Sequence, residues 1–316
     1  MELRILPTEQ CNFRCTYCYE TFENKKMPRP VVRGLKALLT ARAPTLNELH
    51  LDWFGGEPMV AFSIVTDIAQ HAQALARTHG FALTGAMTTN GYFLDPANFA
   101  RCIAHGITHF QISLDGDRDL HDRTRVLGSG AGTFDVIWKN LLAMKDSTAD
   151  FAVTLRLHFT RRNYSEVGAF AARLHRTFGG DRRFYPFFKA IAQLGGANDA
   201  DIEPLSSREE QAIRNYLWDA SGYGAPPTGQ EGYVCYAGKA NALVVRSTGR
   251  LNKCTVALNS DFNDIGLLNE DGTLSIDQAK ARHWIAPVME GRWDDVGCPI
   301  GVVARAFFAE SALTPA

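Results

Sequence analysis

The chain has 316 residues, enough for one large α/β barrel or for a barrel with an appended smaller domain. Lys and Arg total 33 against 34 for Asp and Glu, with both signs dispersed, so no strong field draws in nucleic acid or anionic lipid. Residues 1–7 lack the basic region and apolar run of a secretory signal, and no later stretch approaches the roughly 20 apolar residues of a membrane span; the expected location is the cytoplasm. Seven cysteines are too few for a disulfide scaffold, and an odd number in a reducing compartment points to metal ligation or isolated thiols.

Hydrophobic periodicity predicts a strand over 2–7, a helix over 31–41, an alternating strand over 48–54 and a helix over 61–77 that stops at Gly80. A strand over 82–89, a helix over 96–104, a strand over 109–114 and a helix over 134–145 follow. The pattern closes with a strand over 151–160, a helix over 165–178 and an apolar strand over 184–188. Strands separated by helices favour a parallel sheet with right-handed crossovers. Periodicity alone does not separate a partial barrel from a doubly wound sheet, but motif placement does. Stretches 11–18, 55–58, 88–91 and 113–116 each lie at or just after the C-terminal end of a predicted strand, the rim where barrels assemble active sites. The expected fold is α/β, a partial (β/α)6 TIM-type barrel over 1–195.

Past Gly195 the alternation ends in a stretch rich in Gly, Ala, Asn and Asp, which marks a boundary. A linker and bridging helix are expected over 196–232: Ser206 or Ser207 with Glu209 and Glu210 resembles an N-cap and acidic first turn before 213–218, and 222–232, with Pro226 and Pro227, reads as a loop. Stretches 240–246 and 249–253 form a predicted hairpin turning at 247–249, within a small C-terminal α+β domain over 233–316.

Cys11, Cys15 and Cys18 follow the spacing C-x3-C-x2-C directly after the first strand. Three thiolates in one loop can grip one metal centre. A structural zinc site normally closes with four protein ligands, and the nearest histidine, His50, lies far along on the second strand. Three thiolates on a four-iron cluster instead leave one iron free for a non-protein ligand. The alternatives are a zinc loop or three buried thiols. With Tyr17 before the last cysteine, and with Gly55-Gly56-Glu57-Pro58 after the second strand, the pattern resembles the radical S-adenosylmethionine (SAM) superfamily. That resemblance implies a [4Fe–4S] cluster on Cys11, Cys15 and Cys18 whose unique iron chelates the amino and carboxylate groups of SAM. One electron then splits the sulfonium, and the resulting 5'-deoxyadenosyl radical abstracts hydrogen from an unactivated carbon.

Gly55 and Gly56 allow close approach of backbone to ligand, and Glu57 is an acceptor suited to the SAM ammonium. Ser113-Leu114-Asp115-Gly116, followed by His121, Asp122 and Arg125, resembles a segment of peptide-modifying members of the superfamily. Ser113 or Asp115 is a candidate for the ribose or methionyl end, and Arg125 for the SAM carboxylate, against the alternative of an ion pair with Asp122. Thr88, Thr89 and Asn90 hold the matching rim position after the third strand and are expected at the adenosine site. Arg156 and His158 share one face of the fifth strand and point into the barrel by period, making Arg156 a second candidate for the SAM carboxylate.

Cys235, Gly249 and Cys254 match the opening half of a SPASM-type auxiliary-cluster domain. Only Cys298 follows, and Gly301 stands where a further cysteine would be expected. The resemblance is to a shortened, twitch-like version holding one auxiliary iron–sulfur cluster on Cys235, Cys254 and Cys298, with a fourth position left to substrate, water or a residue such as His283 or Asp294. The alternative is isolated thiols. Cys102, at helical spacing with Phe99, reads as core.

Members with this organisation mostly modify ribosomally made peptides. The expected outcome is an oxidative C–C or C–S crosslink in a precursor peptide, the auxiliary cluster accepting the second electron and flavodoxin or ferredoxin acting as external reductant. Epimerisation, formylglycine-type oxidation and a small-metabolite substrate are the alternatives. No separate peptide-recognition domain is expected before the cluster loop. A zinc-binding interaction module is the non-enzymatic alternative; a metal hydrolase would need His and carboxylate ligands clustered at strand ends, which the nine histidines do not supply.

Overall fold

The computed structural model describes residues 1–224 and 233–313, with 310–313 described by backbone alone. The expected loop with Pro226 and Pro227 lies outside the described residues. The barrel region runs β1 (Glu2–Ile5), α1 (Arg29–Arg42), β2 (Glu48–Trp53), α2 (Phe62–His79), β3 (Ala82–Thr89), α3 (Pro96–Ala104), β4 (Ile107–Leu114), α4 (Arg118–Thr124), α5 (Phe134–Lys145), β5 (Ala152–Phe159), α6 (Tyr164–Phe178) and β6 (Phe184–Ala190). After it come α7 (Ser207–Ser221), β7 (Ala242–Val245), β8 (Arg250–Asn252), β9 (Asp264–Leu268), β10 (Leu274–Ile276), α8 (Gln278–Met289) and α9 (Ile300–Leu313).

Strands β1 to β6 lie side by side in chain order and are parallel throughout. Among the described residues β6 remains an edge, so the sheet does not close and the barrel is partial. Alternation explains the two faces: on β5, Val153, Leu155 and Leu157 are fully buried, while Thr154, Arg156 and His158 occupy the opposite face. Fully buried Trp53, Phe110, Phe159, Phe170 and Phe178 belong to the main core. Caps fix several helix ends. Asp95 accepts from the Ala97 and Asn98 amides with Pro96 at the first position of α3, Gly80 ends α2 in the left-handed conformation, and Ser206 with Glu209 forms a capping box on α7.

The expected boundary at 195 falls in the loop between β6 and α7, yet the sheet crosses it. β7 pairs in parallel with the free side of β1, and β8, β9 and β10 continue antiparallel from it. β7 and β8 are the expected hairpin. The C-terminal strands therefore extend the barrel sheet instead of forming a second one. Close packing reinforces the join: a Cβ on Gly34 of α1 would run into the Asn269 carbonyl of the β9–β10 turn. Buried Glu9, at the start of the cluster loop, pairs with buried Arg246 at 2.5 Å.

Candidate functional site

One cavity opens at the C-terminal edge of β1 to β6, the rim where barrels assemble their active sites. Cys11, Cys15 and Cys18 line it together with Tyr17, Gly55, Gly56, Thr88, Asn90, Ser113, Arg125 and Arg156. The cysteine loop is held from two sides. The Arg14 and Thr16 amides donate to the carbonyls of Val126 and Thr124 at 2.8 and 2.9 Å, and the Tyr19 hydroxyl donates to the Thr255 carbonyl at 3.1 Å. Burial pushes the Cys11 and Cys18 thiols up to about 12 and raises Cys15 too, with the Arg125 charge opposing. Such thiols stay protonated unless a metal takes the proton's place. Cys11 Sγ also accepts from the Phe13 amide at 3.3 Å and lies 3.8 Å from Asn90 Nδ2. Among the described residues no three His, Cys, Asp or Glu side chains gather tightly enough to hold a single metal ion. A cluster of several irons takes one sulfur per iron and does not require that convergence.

The Gly55-Gly56-Glu57-Pro58 turn differs from expectation in two ways. Both glycines line the cavity at positive φ, but the close approach they permit is to the chain itself: a Cβ on Gly56 would meet the Gln10 carbonyl, and one on Gly55 the Leu6 side chain. Glu57 faces away from the cavity and is fully buried. One carboxylate oxygen accepts from the Met59 amide at 3.0 Å and the Thr89 hydroxyl at 2.8 Å, the other from the Asn90 amide at 2.7 Å. These bonds tie β2 to β3 inside the fold, so Glu57 does not present its carboxylate to a ligand in the cavity. The carboxylate that does face the cavity is Glu20, which accepts from the Gly56 amide at 2.8 Å and which burial pushes up to about 7.

Arg125 is held where Cys15 and Tyr17 meet. Its Nη1 donates to the Tyr17 hydroxyl at 2.8 Å, and that hydroxyl donates to Asp115 at 2.8 Å. Asp115 does not line the cavity; its carboxylate also accepts from Thr124 at 2.6 Å and from His158 Nδ1 at 3.0 Å. Burial pulls His158 down to about 4, so the imidazole is neutral at neutral pH. Burial opposes the Asp115 charge as well, but the His158 hydrogen bond and the Arg125 charge outweigh it and hold the carboxyl well below its usual range. The alternative pairing of Arg125 with Asp122 is absent: Asp122 accepts from the Thr133 and Phe134 amides and caps α5.

Two guanidinium atoms, Arg125 Nε and Arg156 Nε, are buried without a partner. Buried donors are almost always satisfied, so both mark places where an anion fits. With the three thiols on the same cavity, the residues present suit a thiolate-ligated cluster and a cosubstrate bearing a carboxylate. His158 lines the cavity as its place beside Arg156 on the fifth strand predicted, whereas the charged lining residues Glu20 and Lys189 were not singled out by the sequence. Lys189 sits at the end of β6, one residue past the predicted strand, so the rim rule that selected Thr88 and Ser113 would have found it.

In the C-terminal region the Cys235 amide donates to the Val296 carbonyl at 2.9 Å, bringing the 296–298 stretch against Cys235. Cys254 is buried, Cys235 half-buried and Cys298 exposed. Burial raises Cys235, and neighbouring Cys254 and Cys298 raise it further. Cys102 is fully buried in the core.

The model of the Radical SAM superfamily matches residues 5–174. The serine-type anaerobic sulfatase-maturating enzyme of Klebsiella aerogenes is 25% identical over 218 residues, 68% of this chain and 49% of the relative. The chain thus spans about half the length of that curated relative. The structure of anSMEcpe with bound AdoMet and Kp18Cys peptide is similar at a TM-score of 0.67, with 17% identity over 90% of this chain and 80% of the other. Streptococcus suis SuiB bound to precursor peptide SuiA has a TM-score of 0.59, with 14% identity over 92% of this chain and 66% of the other. At these identities the structural likeness describes the fold. No helix among the described residues is long and apolar enough to cross a membrane.

Proposed function

The chain belongs to the radical SAM superfamily, and from that premise we propose that it is a peptide-modifying radical enzyme whose reaction starts in the cavity at the ends of β1 to β6. The observation that carries the reading is the meeting of three buried thiols with two unpartnered guanidinium donors on one cavity. Cys11, Cys15 and Cys18 are the proposed ligands of a [4Fe–4S] cluster, which when bound supplies the electron that cleaves SAM to a 5'-deoxyadenosyl radical able to take hydrogen from substrate.

The protein's own residues bind and orient. Arg125, next to Cys15 and steadied by Tyr17 and Asp115, presents its free Nε to the SAM carboxylate. Glu20 takes the ammonium in place of Glu57, whose role is to hold the turn. Thr88, Asn90 and Ser113 line the wall proposed for the adenosine, and the Tyr17 ring closes one side. The proposed organisation is a radical SAM partial barrel over 1–195, a linker and bridging helix over 196–232 and a twitch-like domain over 233–316, with Cys235, Cys254 and Cys298 holding one auxiliary cluster.

The sulfatase-maturating relatives and the peptide-bound neighbours support a ribosomal precursor peptide as substrate. The finer reading is an oxidative crosslink, C–C or C–S, in which the 5'-deoxyadenosyl radical takes one hydrogen atom and solvent one proton; an auxiliary cluster on Cys235, Cys254 and Cys298 would accept the remaining electron, and a flavodoxin or ferredoxin would supply the electron that starts the reaction. Anaerobic reconstitution followed by reduction with SAM tests the first step: a brown protein with iron and sulfide that releases 5'-deoxyadenosine is expected, and a colourless zinc protein without turnover refutes it. Co-expression with a precursor peptide encoded beside the gene tests the second. Loss of two hydrogens supports a crosslink, and unchanged mass with solvent deuterium uptake replaces it with epimerisation.

A further inference from the structure

Among the described residues three cations line the cavity, Arg125, Arg156 and Lys189, against one carboxylate, Glu20, which the proposed function assigns to the SAM ammonium. Arg125 is engaged near the cluster loop: its charge acts on Cys15, and Asp115 balances it through Tyr17. Arg156 and Lys189 come from β5 and β6. Their strands pair Arg156 with Phe187 and His158 with Lys189, so both cations occupy the inner face of the open barrel at β5 and β6. Both line the cavity, Arg156 Nε is buried without an acceptor, and neither side chain has a hydrogen bond or ion pair among the described residues. Burial, then the charge of Arg156, lowers the pKa of Lys189, so the two cations disfavour each other in the empty cavity. An anion placed between them removes that cost and satisfies the orphaned donor.

From this geometry we propose that Lys189 and Arg156 form a substrate subsite for a carboxylate, selecting a peptide with an acidic side chain at or next to the reacting residue. The subsite rests on the radical-enzyme reading and names its substrate class. A peptide, and not a small free acid, fits the surface beside it. Tyr185, Phe187 and Lys189 alternate onto one face of β6, and Tyr185 and Phe187 remain 46% and 41% exposed although both are large and apolar. Neighbouring peptide residues would cover that strip while the carboxylate reaches the cations. Among the described residues no strand pairs with the outer side of β6, so the sheet does not close over this strip.

The test uses the reconstituted, SAM-loaded protein under anaerobic conditions and three N-terminally acetylated pentapeptides, Ala-Phe-Xaa-Phe-Ala, the first two also amidated at the C-terminus. One carries Glu at Xaa, one carries Gln, and the third carries Ala at Xaa with a free C-terminal carboxylate. Calorimetry should show the Glu peptide binding at least tenfold tighter than the Gln peptide. In Lys189→Gln and in Arg156→Gln that ratio should fall below threefold, and Lys189→Arg should keep most of it. The ratio is its own control, since general damage weakens both peptides alike. Equal binding of all three peptides, or a ratio unchanged in Lys189→Gln, overturns the subsite. A gain shown by the free C-terminal acid in place of the Glu peptide upholds the carboxylate site and reassigns its source. Failure of the parent protein to form 5'-deoxyadenosine from SAM without peptide would count against the radical-enzyme reading and leave the binding ratio standing by itself.

Discussion

Glu57 offers the sharpest separation between a residue that touches a cosubstrate and one that shapes its site. Its carboxylate is fully buried and accepts from the Met59 amide, the Thr89 hydroxyl and the Asn90 amide. Glu57→Ala strands two buried backbone N–H groups, each costing about 1–3 kcal/mol, so roughly 2–6 kcal/mol of stability should be lost. That is a large share of the roughly 5–15 kcal/mol that holds a typical protein folded. Glu57→Gln keeps the shape and the oxygen facing Met59 and Thr89 but turns an NH2 toward the Asn90 amide, and should cost about 1–3 kcal/mol. Chemical denaturation of the metal-free protein measures both losses and avoids coupling to cluster release. SAM affinity of Glu57→Gln, measured after reconstitution at a temperature where it is folded, should stay within about threefold of the parent, a shift well under the roughly 1.4 kcal/mol of a tenfold change. The opposite pattern, stability intact and SAM affinity lost tenfold or more, would mean that the carboxylate engages the ammonium and that this account of the turn is wrong.

Cys15→Ala should leave the chain folded but lower iron and sulfide content and abolish 5'-deoxyadenosine formation, read by iron assay and chromatography; an intact centre that still cleaves SAM would remove Cys15 from the ligand set. Glu20→Gln replaces the one carboxylate that faces the cavity among the described residues and should weaken SAM binding about tenfold or more, the worth of a charge-assisted hydrogen bond of about 1.5–3 kcal/mol; unchanged affinity would return the ammonium to another acceptor. Cys254→Ala should cost roughly one cluster's worth of iron per chain while SAM cleavage without peptide continues, and unchanged iron content would mark the C-terminal cysteines as isolated thiols.

The long periodic elements were legible because each exposes one face to a different environment from the other. The structure places β3, α3 and α5 over the expected residues, and β1, β2, β4, β5, β6, α1, α2 and α6 within a few residues of them. Short, polar or late elements were not. In α4 only Leu120 gives an apolar signal among charged neighbours, and β10 has three residues, too few to establish a period. In the site, the spacing of Cys11, Cys15 and Cys18 and the rim positions of Thr88, Asn90 and Ser113 selected residues that line the cavity. Glu57 and Asp115 stand in the same motifs and do not line it, because motif position says nothing about which way a short turn directs a side chain.

Sequence alone determined the alternating α/β order and the superfamily pattern, since both are written in local spacing: period along each element, and three thiols within one loop. Only the tertiary structure decided that β7 to β10 continue the barrel sheet, that Glu20 and not Glu57 faces the cavity, and that Arg156 and Lys189 line the same cavity from adjacent strands. Those facts depend on strand register and on which donors reach a buried carboxylate first, and both are settled by contacts between residues far apart in the chain.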